Sequence, residues 1–140
     1  MPIRDCEGLA EARAVWDFMT GDARRFLDRV RLMRLAVQRF REQGIPSSFV
    51  MLLHAGATRF AARSFEGTKF AGEDASTLPE IHAELEAFTR DGGRIEVCEI
   101  AMDRSAIPRA LLVPFVEVEE NVFLNSIALQ NRGHAYVLVA

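Results

Sequence analysis

The chain has 140 residues and a mass of 15.7 kDa, the size of one domain that can bury a single hydrophobic core. Its hydrophobic content of 49% and charged content of 26% are those of a globular protein. No apolar stretch reaches the roughly 20 residues that cross a bilayer, and the N-terminal residues lack the apolar core of a signal peptide. We therefore expect a cytoplasmic protein without membrane contact, and the net charge of −3 disfavours nucleic acid as its partner.

Charge is distributed unevenly, because residues 22–42 contain seven arginines and only three acidic residues. This segment is either an anion- or RNA-facing surface or a solvated helix face that pairs with acidic neighbours or with another subunit. No aromatic side chain accompanies the arginines on the polar face, so stacking on bases is not supported. We favour the second interpretation.

Two cysteines, Cys6 and Cys98, make neither a disulfide framework nor a Cys-x-x-Cys pair. We expect Cys6 to be exposed in a loose lead-in, residues 1–12, as an incidental residue or as a resolving thiol for Cys98. His82 and His134 have no partner at ligand spacing, which predicts no metal site. The chain also lacks a phosphate-binding glycine loop and a nucleophile elbow, and we expect no cofactor.

The hydrophobic pattern of the first half predicts a strand, a long helix and a second strand. The first strand covers residues 14–18, and the helix covers residues 23–43, where apolar residues recur at steps of four and three. An almost unbroken apolar run over residues 49–54 predicts a strand covered on both faces, as in a parallel sheet. A short helix over residues 58–65 and a mobile loop over residues 66–74 follow.

The second half continues the alternation of helices and strands. Thr77 and Glu80 form the pattern of a capping box and begin a helix that ends at Gly92. The remaining elements are predicted as a strand over 95–98, a helix over 100–105, a strand over 115–118, a helix over 120–132 and a strand over 134–139. Five strands that alternate with helices indicate one three-layer α/β/α domain, residues 1–140, with a mainly parallel five-stranded sheet.

Cys98 lies where open α/β sheets keep their chemistry, at the carboxyl end of a strand and before a helix. The helix amides and Arg104 would activate its thiol, whereas Glu96, Glu99 and Asp103 would oppose activation. The alternative is a small thiol buried in the core, without a reactive role.

His54 and Gly56 follow the second strand, and a parallel sheet would bring them to the same edge as Cys98. His54 either activates the thiol or satisfies backbone groups of a loop. Gly56 either frees backbone amides for an anion or simply makes a turn. We expect His54, Gly56 and Arg104 to line one substrate-binding pocket beside Cys98.

Other polar and aromatic residues receive structural interpretations from the sequence. Asp17, near the end of the first strand, is predicted to be a cap rather than a catalyst. Tyr136 is predicted to lie in the core or in an interface. Glu117, Glu119 and Glu120 form an acidic cluster around the start of the last helix, where the helix dipole favours them.

Three local signatures carry a family resemblance. They are the strand ending in His54 and Gly56, the strand ending in Cys98, and the C-terminal segment LQNRGHAY of residues 129–136. Together with the order of elements, they resemble the DsrE/DsrF-like family, which includes the sulfur-relay subunits DsrE and TusD and the YchN-like proteins. The resemblance extends over residues 15–139.

This resemblance implies a Rossmann-like DsrE fold and homo-oligomers, as dimers, trimers or hexamers, with the cysteine edge near subunit boundaries. In the sulfur-relay members, the cysteine matched by Cys98 accepts a persulfide sulfur and passes it to a partner protein. Those members often carry an alanine three residues after the cysteine and an Arg-Gly pair further on. This chain keeps Ala101 and Arg104 but has Ser105 in the glycine's place.

The leading hypothesis is an intracellular sulfur carrier, without a standard catalytic motif, in which Cys98 carries persulfide sulfur between relay proteins. The alternative is a non-catalytic oligomeric binding module for a small anion or a protein, in which the cysteine is structural. Apolar residues of the long helix and of the stretch 111–113 exceed what one core can cover, which also favours a homo-oligomer.

Overall fold

A computed structural model describes residues 1–140, and its elements follow the predicted alternation of strands and helices. The strands are β1 (Ala12–Phe18), β2 (Ser47–Leu53), β3 (Arg94–Cys98), β4 (Glu117–Glu119) and β5 (Ala135–Val139). The α-helices are α1 (Ala23–Glu42), α2 (Leu78–Arg90), α3 (Glu99–Arg104) and α4 (Val122–Asn131). Two short 3-10 helices cover Ala55–Ala61 and Arg109–Leu111.

The five strands form one sheet in the order β4-β3-β2-β1-β5, and every neighbouring pair is parallel. Helices α1 and α2 pack on one face of the sheet around a large core, and α4 packs on the other face around a smaller one. The predicted three-layer α/β/α architecture is therefore confirmed. None of the helices is both long and apolar enough to span a membrane.

Helix α1 forms as its periodicity predicts. The side chain of Asp22 accepts a hydrogen bond from the Arg25 amide at 2.9 Å and caps the first turn. The apolar residues of the predicted face are buried against the sheet, and they include Phe26, Val30, Met33 and Val37. Burial of each such side chain contributes about 1.5–3 kcal/mol, so this face holds the helix in place.

The arginines of α1 pair with acidic residues of the neighbouring helix α2. Arg34 lies 2.5 Å from the carboxylate of Glu84 and 3.6 Å from that of Asp91, and Arg31 binds both Glu80 and Glu84. Each exposed pair contributes about 0–1 kcal/mol. The prediction that the basic segment pairs with acidic neighbours is confirmed.

The predicted capping box of α2 is wrong. Thr77 has a helical backbone, with φ −86° and ψ −12°, and its side chain makes no capping hydrogen bond. An N-cap residue needs an extended backbone for its oxygen to reach the amides of the first turn. Asp74 instead accepts a hydrogen bond from the Ser76 amide just before the helix.

Part of the segment between the first 3-10 helix and α2 is hydrogen-bonded to the rest of the fold. Thr68 is buried, its hydroxyl donates to the carbonyl of Phe65, and the Lys69 amide donates to the carbonyl of Ser105 at 3.0 Å. The bond between Lys69 and Ser105 joins this part of the segment to the end of α3, whereas residues 71–74 are exposed. The mobility of residues 66–74 stays a prediction.

The apolar stretch 111–113 is also packed rather than exposed. The Val113 amide donates to the carbonyl of Ala61 at 2.9 Å, and Leu112 pairs with Ala62 in an antiparallel bridge. The expected apolar surplus is therefore absent there. Exposed apolar side chains lie on the long helix α1, at Leu32 and Leu35, as expected, and they also cluster on α4 and β5.

The two cysteines lie at opposite ends of the sheet. Cys6 precedes β1, near the point where the Ala12 amide bonds the Pro46 carbonyl at the amino ends of β1 and β2. It is half-buried rather than exposed, because it packs against the core, and both cysteines are free. This separation removes Cys6 as a resolving thiol for Cys98 within one chain.

Candidate functional site

The carboxyl ends of β2 and β3 bring His54 and Cys98 together. Leu53 of β2 and Val97 of β3 are register partners, so the next residues, His54 and Cys98, end neighbouring strands about 4.8 Å apart. Cys98 packs with Val50 and Leu52 in the core under α4.

All four residues predicted for the site line a single cavity of about 580 Å³, which lies between the strand ends, α3 and the start of α4. They are His54, Gly56, Cys98 and Arg104. Cys98 is only 6% exposed but belongs to the cavity wall. It occupies the N-cap position of α3, as expected, with an extended backbone and no capping hydrogen bond from its side chain.

A buried carboxylate, which the sequence did not assign to the site, holds the His54 imidazole. His54 Nε2 lies 2.5 Å from Asp17 Oδ1, and the hydroxyl of Tyr136 donates to Asp17 Oδ2. Asp17 and His54 are 6% and 8% exposed, respectively. The ring of Phe123 on α4 meets His54 edge-on, with 5.5 Å between ring centroids.

The prediction that Asp17 is a cap is wrong, because Asp17 lies inside β1 and Asp22 caps α1. Tyr136 is predicted as a core or interface residue; its ring is partly exposed, so the interface part stays a prediction, and its hydroxyl donates to Asp17. One sequence signal was available for Asp17. Residues 15 and 17 share a face of β1, and a polar residue at a strand's carboxyl end is typical of a site in a parallel sheet.

Electrostatics in this chain favour an ionised Asp17. Burial alone would raise the pKa of Asp17, but hydrogen bonds from His54 and Tyr136 outweigh it and hold the pKa below its usual value. The bond to Asp17, together with burial, raises the pKa of Tyr136 to about 12. The hydroxyl keeps its proton because that proton is shared with a carboxylate.

Gly56 is required by close packing. A Cβ on Gly56 would lie 2.9 Å from the Cα and amide nitrogen of Gly21, in the loop that follows β1. The preceding residue, Ala55, has a positive φ of 50°, which turns the chain sharply after His54. These two residues set the direction in which His54 enters the cavity.

The cavity is lined by three basic side chains and by no acidic one. The basic residues are Arg59, Lys69 and Arg104. Arg59 Nε donates to the Gly56 carbonyl at 2.8 Å, and its guanidinium lies 3.9 Å from the centre of the Phe70 ring. Sequence reasoning missed Arg59, Lys69 and Phe70, because no pattern links the segment 66–74 to the strand ends.

The fold is a three-layer α/β architecture similar to that of the DsrE/YchN-like proteins. MTH1491 from Methanobacterium thermoautotrophicum, a protein of unknown function, matches with a TM-score of 0.71 and 16% identity over 91% of this chain and 99% of that chain. YchN from E. coli matches with a TM-score of 0.59 and 18% identity over 91% of this chain and 97% of that one. The predicted resemblance is confirmed at the level of the fold.

Sequence comparison also finds a similar protein, which is longer than this chain. An uncharacterised protein of Aquifex aeolicus (strain VF5) is 28% identical over 129 residues, which are 89% of this chain and 55% of that protein. The chain thus spans about half the length of the curated relative that it matches. No family model matches the chain.

Proposed function

We propose that this protein is a cytoplasmic sulfur carrier in which Cys98 accepts a sulfur atom as a persulfide and passes it to a partner protein. One observation carries the proposal. Cys98 shares a cavity with His54, whose imidazole is held by a buried carboxylate. A cysteine beside an oriented histidine is the arrangement that nucleophilic thiols require.

His54 acts as the proton acceptor. An ionised Asp17 accepts a hydrogen bond from Nε2–H, and this tautomer leaves the lone pair on Nδ1. Cys98 and His54 share the cavity without a hydrogen bond between them, so transfer of the thiol proton to Nδ1 requires the thiol to approach the ring. The transfer forms an imidazolium that the Asp17 carboxylate stabilises. In this account Asp17 and Tyr136 are positioning residues, because they act through His54.

The transfer step conserves electrons. The Cys98 thiolate attacks the outer sulfur of a donor persulfide, a bond forms between the two sulfurs, and the sulfur–sulfur bond of the donor breaks. The donor leaves as a thiolate, and Cys98 carries the persulfide. Lys69 and Arg104 supply positive charge around the resulting anion, whereas Arg59 is already paired with Glu73.

A second copy of the chain covers the apolar surface on α4 and β5. Five large apolar side chains of these two elements are between 45% and 60% exposed, namely Phe123, Leu124, Ile127, Tyr136 and Leu138. The first two residues of α4, Val122 and Phe123, also line the cavity. A homo-oligomer built on this surface would therefore bring a neighbouring subunit to the edge of the site.

Persulfide loading tests the proposal. The Cys6→Ala protein and the Cys6→Ala/Cys98→Ser protein are incubated with glutathione persulfide and analysed by intact mass spectrometry. We expect the first to gain the mass of one sulfur atom and the second to gain none, with identical circular dichroism spectra. Equal loading of both proteins, or loading of neither, would overturn the proposal.

The cationic lining favours a second candidate function, the binding of a small anion by a module whose cysteine is structural. This function requires Lys69 and Arg104 but not the thiol. Under it, sulfate affinity would fall in Arg104→Ala and remain unchanged in Cys98→Ala. Binding of sulfate without any persulfide loading would favour this alternative.

A further inference from the structure

Three glutamates form a cluster on the edge of the sheet farthest from β5. Ligand oxygens of Glu96, Glu117 and Glu119 all lie within 4.8 Å of one another. Glu96 on β3 is the register partner of Glu117 on β4, and Cys98 is the partner of Glu119, so the three side chains share one face of the sheet. The expectation that Glu117 and Glu119 surround the start of the last helix is wrong, because they lie on β4 and Asn121 caps α4.

Glu96 adds a second observation, a buried carboxylate oxygen without a partner. Its side chain is 3% exposed, and Arg94 Nε lies 3.2 Å from Oε2. The other oxygen, Oε1, is buried and has no hydrogen-bond partner. A buried polar atom without a partner is costly, and either a water molecule or a cation would satisfy it at this position.

The charges of the cluster favour the cation. Burial, together with Glu117 and Glu119, raises the pKa of Glu96, so ionisation of all three carboxylates is unfavourable without added positive charge. When all three are ionised, they and the guanidinium of Arg94 carry two net negative charges, which one divalent cation would neutralise. The ligands are all carboxylate oxygens, and calcium prefers oxygen ligands at about 2.3–2.6 Å. Two oxygens on opposite sides of such an ion are about 5 Å apart, which accommodates the observed spacing.

We propose that Glu96, Glu117 and Glu119 bind one calcium ion, with Glu96 Oε1 as its buried ligand and water completing the coordination shell on the exposed side of β4. None of the three carboxylates lines the cavity, although Glu119 is the register partner of Cys98, and the calcium titration does not depend on sulfur transfer. It also differs from the sequence-based expectation, which considered histidine and cysteine spacing and predicted no metal site.

Calorimetric titration of calcium chloride into the protein, stripped with EDTA and then desalted, tests this proposal. We expect one ion per chain with a dissociation constant of about 10⁻⁵ to 10⁻³ M. The isosteric variants Glu96→Gln and Glu119→Gln should each weaken binding about tenfold or more. Glu120→Gln is the matched control, because Glu120 is an exposed acidic neighbour outside the cluster. It should bind as the wild type does.

Thermal unfolding with and without calcium is a second readout that does not depend on binding heat. Calcium should raise the melting temperature of the wild type and of Glu120→Gln but not that of Glu96→Gln. Three results would overturn the proposal. They are no binding heat and no thermal shift up to about 10 mM calcium, unchanged affinity in Glu96→Gln, or an equal loss in Glu120→Gln.

Discussion

The Asp17 carboxylate gives the candidate site its defined chemistry. It accepts hydrogen bonds from both His54 and Tyr136, and it therefore fixes the tautomer of the one imidazole that lines the cavity. Without this carboxylate, His54 would be free to rotate and to exchange tautomers. At the level of single residues, the first property to test is therefore the hydrogen bonding of the Asp17 carboxylate.

Tyr136 reports on Asp17 directly, because it is the only tyrosine in the chain. Its pKa is raised to about 12 by the hydrogen bond to Asp17 and by burial. We expect little tyrosinate absorbance at 295 nm in the wild type below about pH 11, whereas Asp17→Asn should titrate near the usual value of about 10.

The control for this titration is Asp103→Asn, which changes an exposed carboxylate of α3 outside the hydrogen-bonded group. It should retain the wild-type titration curve. A wild-type protein that titrates near pH 10 would show that the hydroxyl of Tyr136 does not bond Asp17 in solution.

The turn between β2 and the first 3-10 helix depends on a close backbone approach. Gly56→Ala would bring a Cβ within 2.9 Å of backbone atoms of Gly21, which belong to another loop and cannot move separately. We expect a loss of about 1–3 kcal/mol in the free energy of unfolding, measured by urea denaturation. Gly21→Ala is the comparison, because its Cβ would meet side-chain atoms of Arg59, the nearest at 2.7 Å, and no backbone atom as closely.

The Gly21→Ala variant should lose less than Gly56→Ala, because a side chain can shift where backbone atoms cannot, but the shift would strain the bonds of Arg59 to the Gly56 carbonyl and to Glu73. Equal losses in the two variants would contradict this account of the turn. Equal losses would mean that the loop carrying Gly21 moves enough to accommodate a Cβ on residue 56.

Helix α2 is linked to the first 3-10 helix through His82, whose Nε2 lies 3.0 Å from the carbonyl oxygen of Phe60. Burial lowers the pKa of His82 below its usual value, and this effect outweighs the hydrogen bonds to backbone carbonyls. The folded protein therefore binds this proton less readily than the unfolded chain. Its contribution to stability is present above about pH 6.5 and is lost as the pH falls through the folded-state pKa.

We accordingly expect the free energy of unfolding to fall between about pH 7.5 and pH 5.5, and to fall less in His82→Gln. The glutamine amide can still donate to the Phe60 carbonyl, so the fold should persist. Urea denaturation at the two pH values measures the difference. His134→Gln is the control, and a slope that is identical in wild type and His82→Gln would contradict the prediction.

At the level of the whole molecule, α4 and β5 present an apolar surface on the face opposite α1. Leu124→Glu and Ile127→Glu place charges on this surface without touching the cavity lining. We expect the wild type to be a homo-oligomer by light scattering and both variants to dissociate to monomers, because a buried unpaired charge is costly.

Leu35→Glu on α1 is the matched control for dissociation, since Leu35 and Leu124 are both 55% exposed. It should retain the oligomer. A monomeric wild type, or dissociation by Leu35→Glu alone, would contradict the assignment of the interface to α4 and β5.

Sequence patterns predicted the fold well because the hydrophobic periodicity of each strand and helix is visible within its own segment. The five strands, the long helix and the meeting of His54 with Cys98 follow from those periods and from parallel pairing. The bond between Asp17 and Tyr136 joins residues 119 positions apart, and no local pattern encodes it. The strand order, with β5 beside β1, had to be known first.

Predictions from local motifs were wrong where the backbone adopts a conformation that the motif does not allow. Thr77 and Glu80 match a capping box, but Thr77 is already helical and its side chain does not cap α2. Lys69 and Phe70 line the cavity because the Lys69 amide donates to the carbonyl of Ser105, at the end of α3. The composition of the segment 66–74 does not predict this contact.

The central claim, that Cys98 is a nucleophilic thiol assisted by His54, is tested most directly by the rate of its alkylation. In the Cys6→Ala background Cys98 is the only thiol, and iodoacetamide labelling at neutral pH is followed by intact mass spectrometry. We expect the folded protein to react faster than the same protein in urea, and Asp17→Asn and His54→Asn to react at least about tenfold more slowly than the folded parent. His134→Asn should leave the rate unchanged. Labelling that occurs only after unfolding would contradict the claim and identify Cys98 as a buried structural residue.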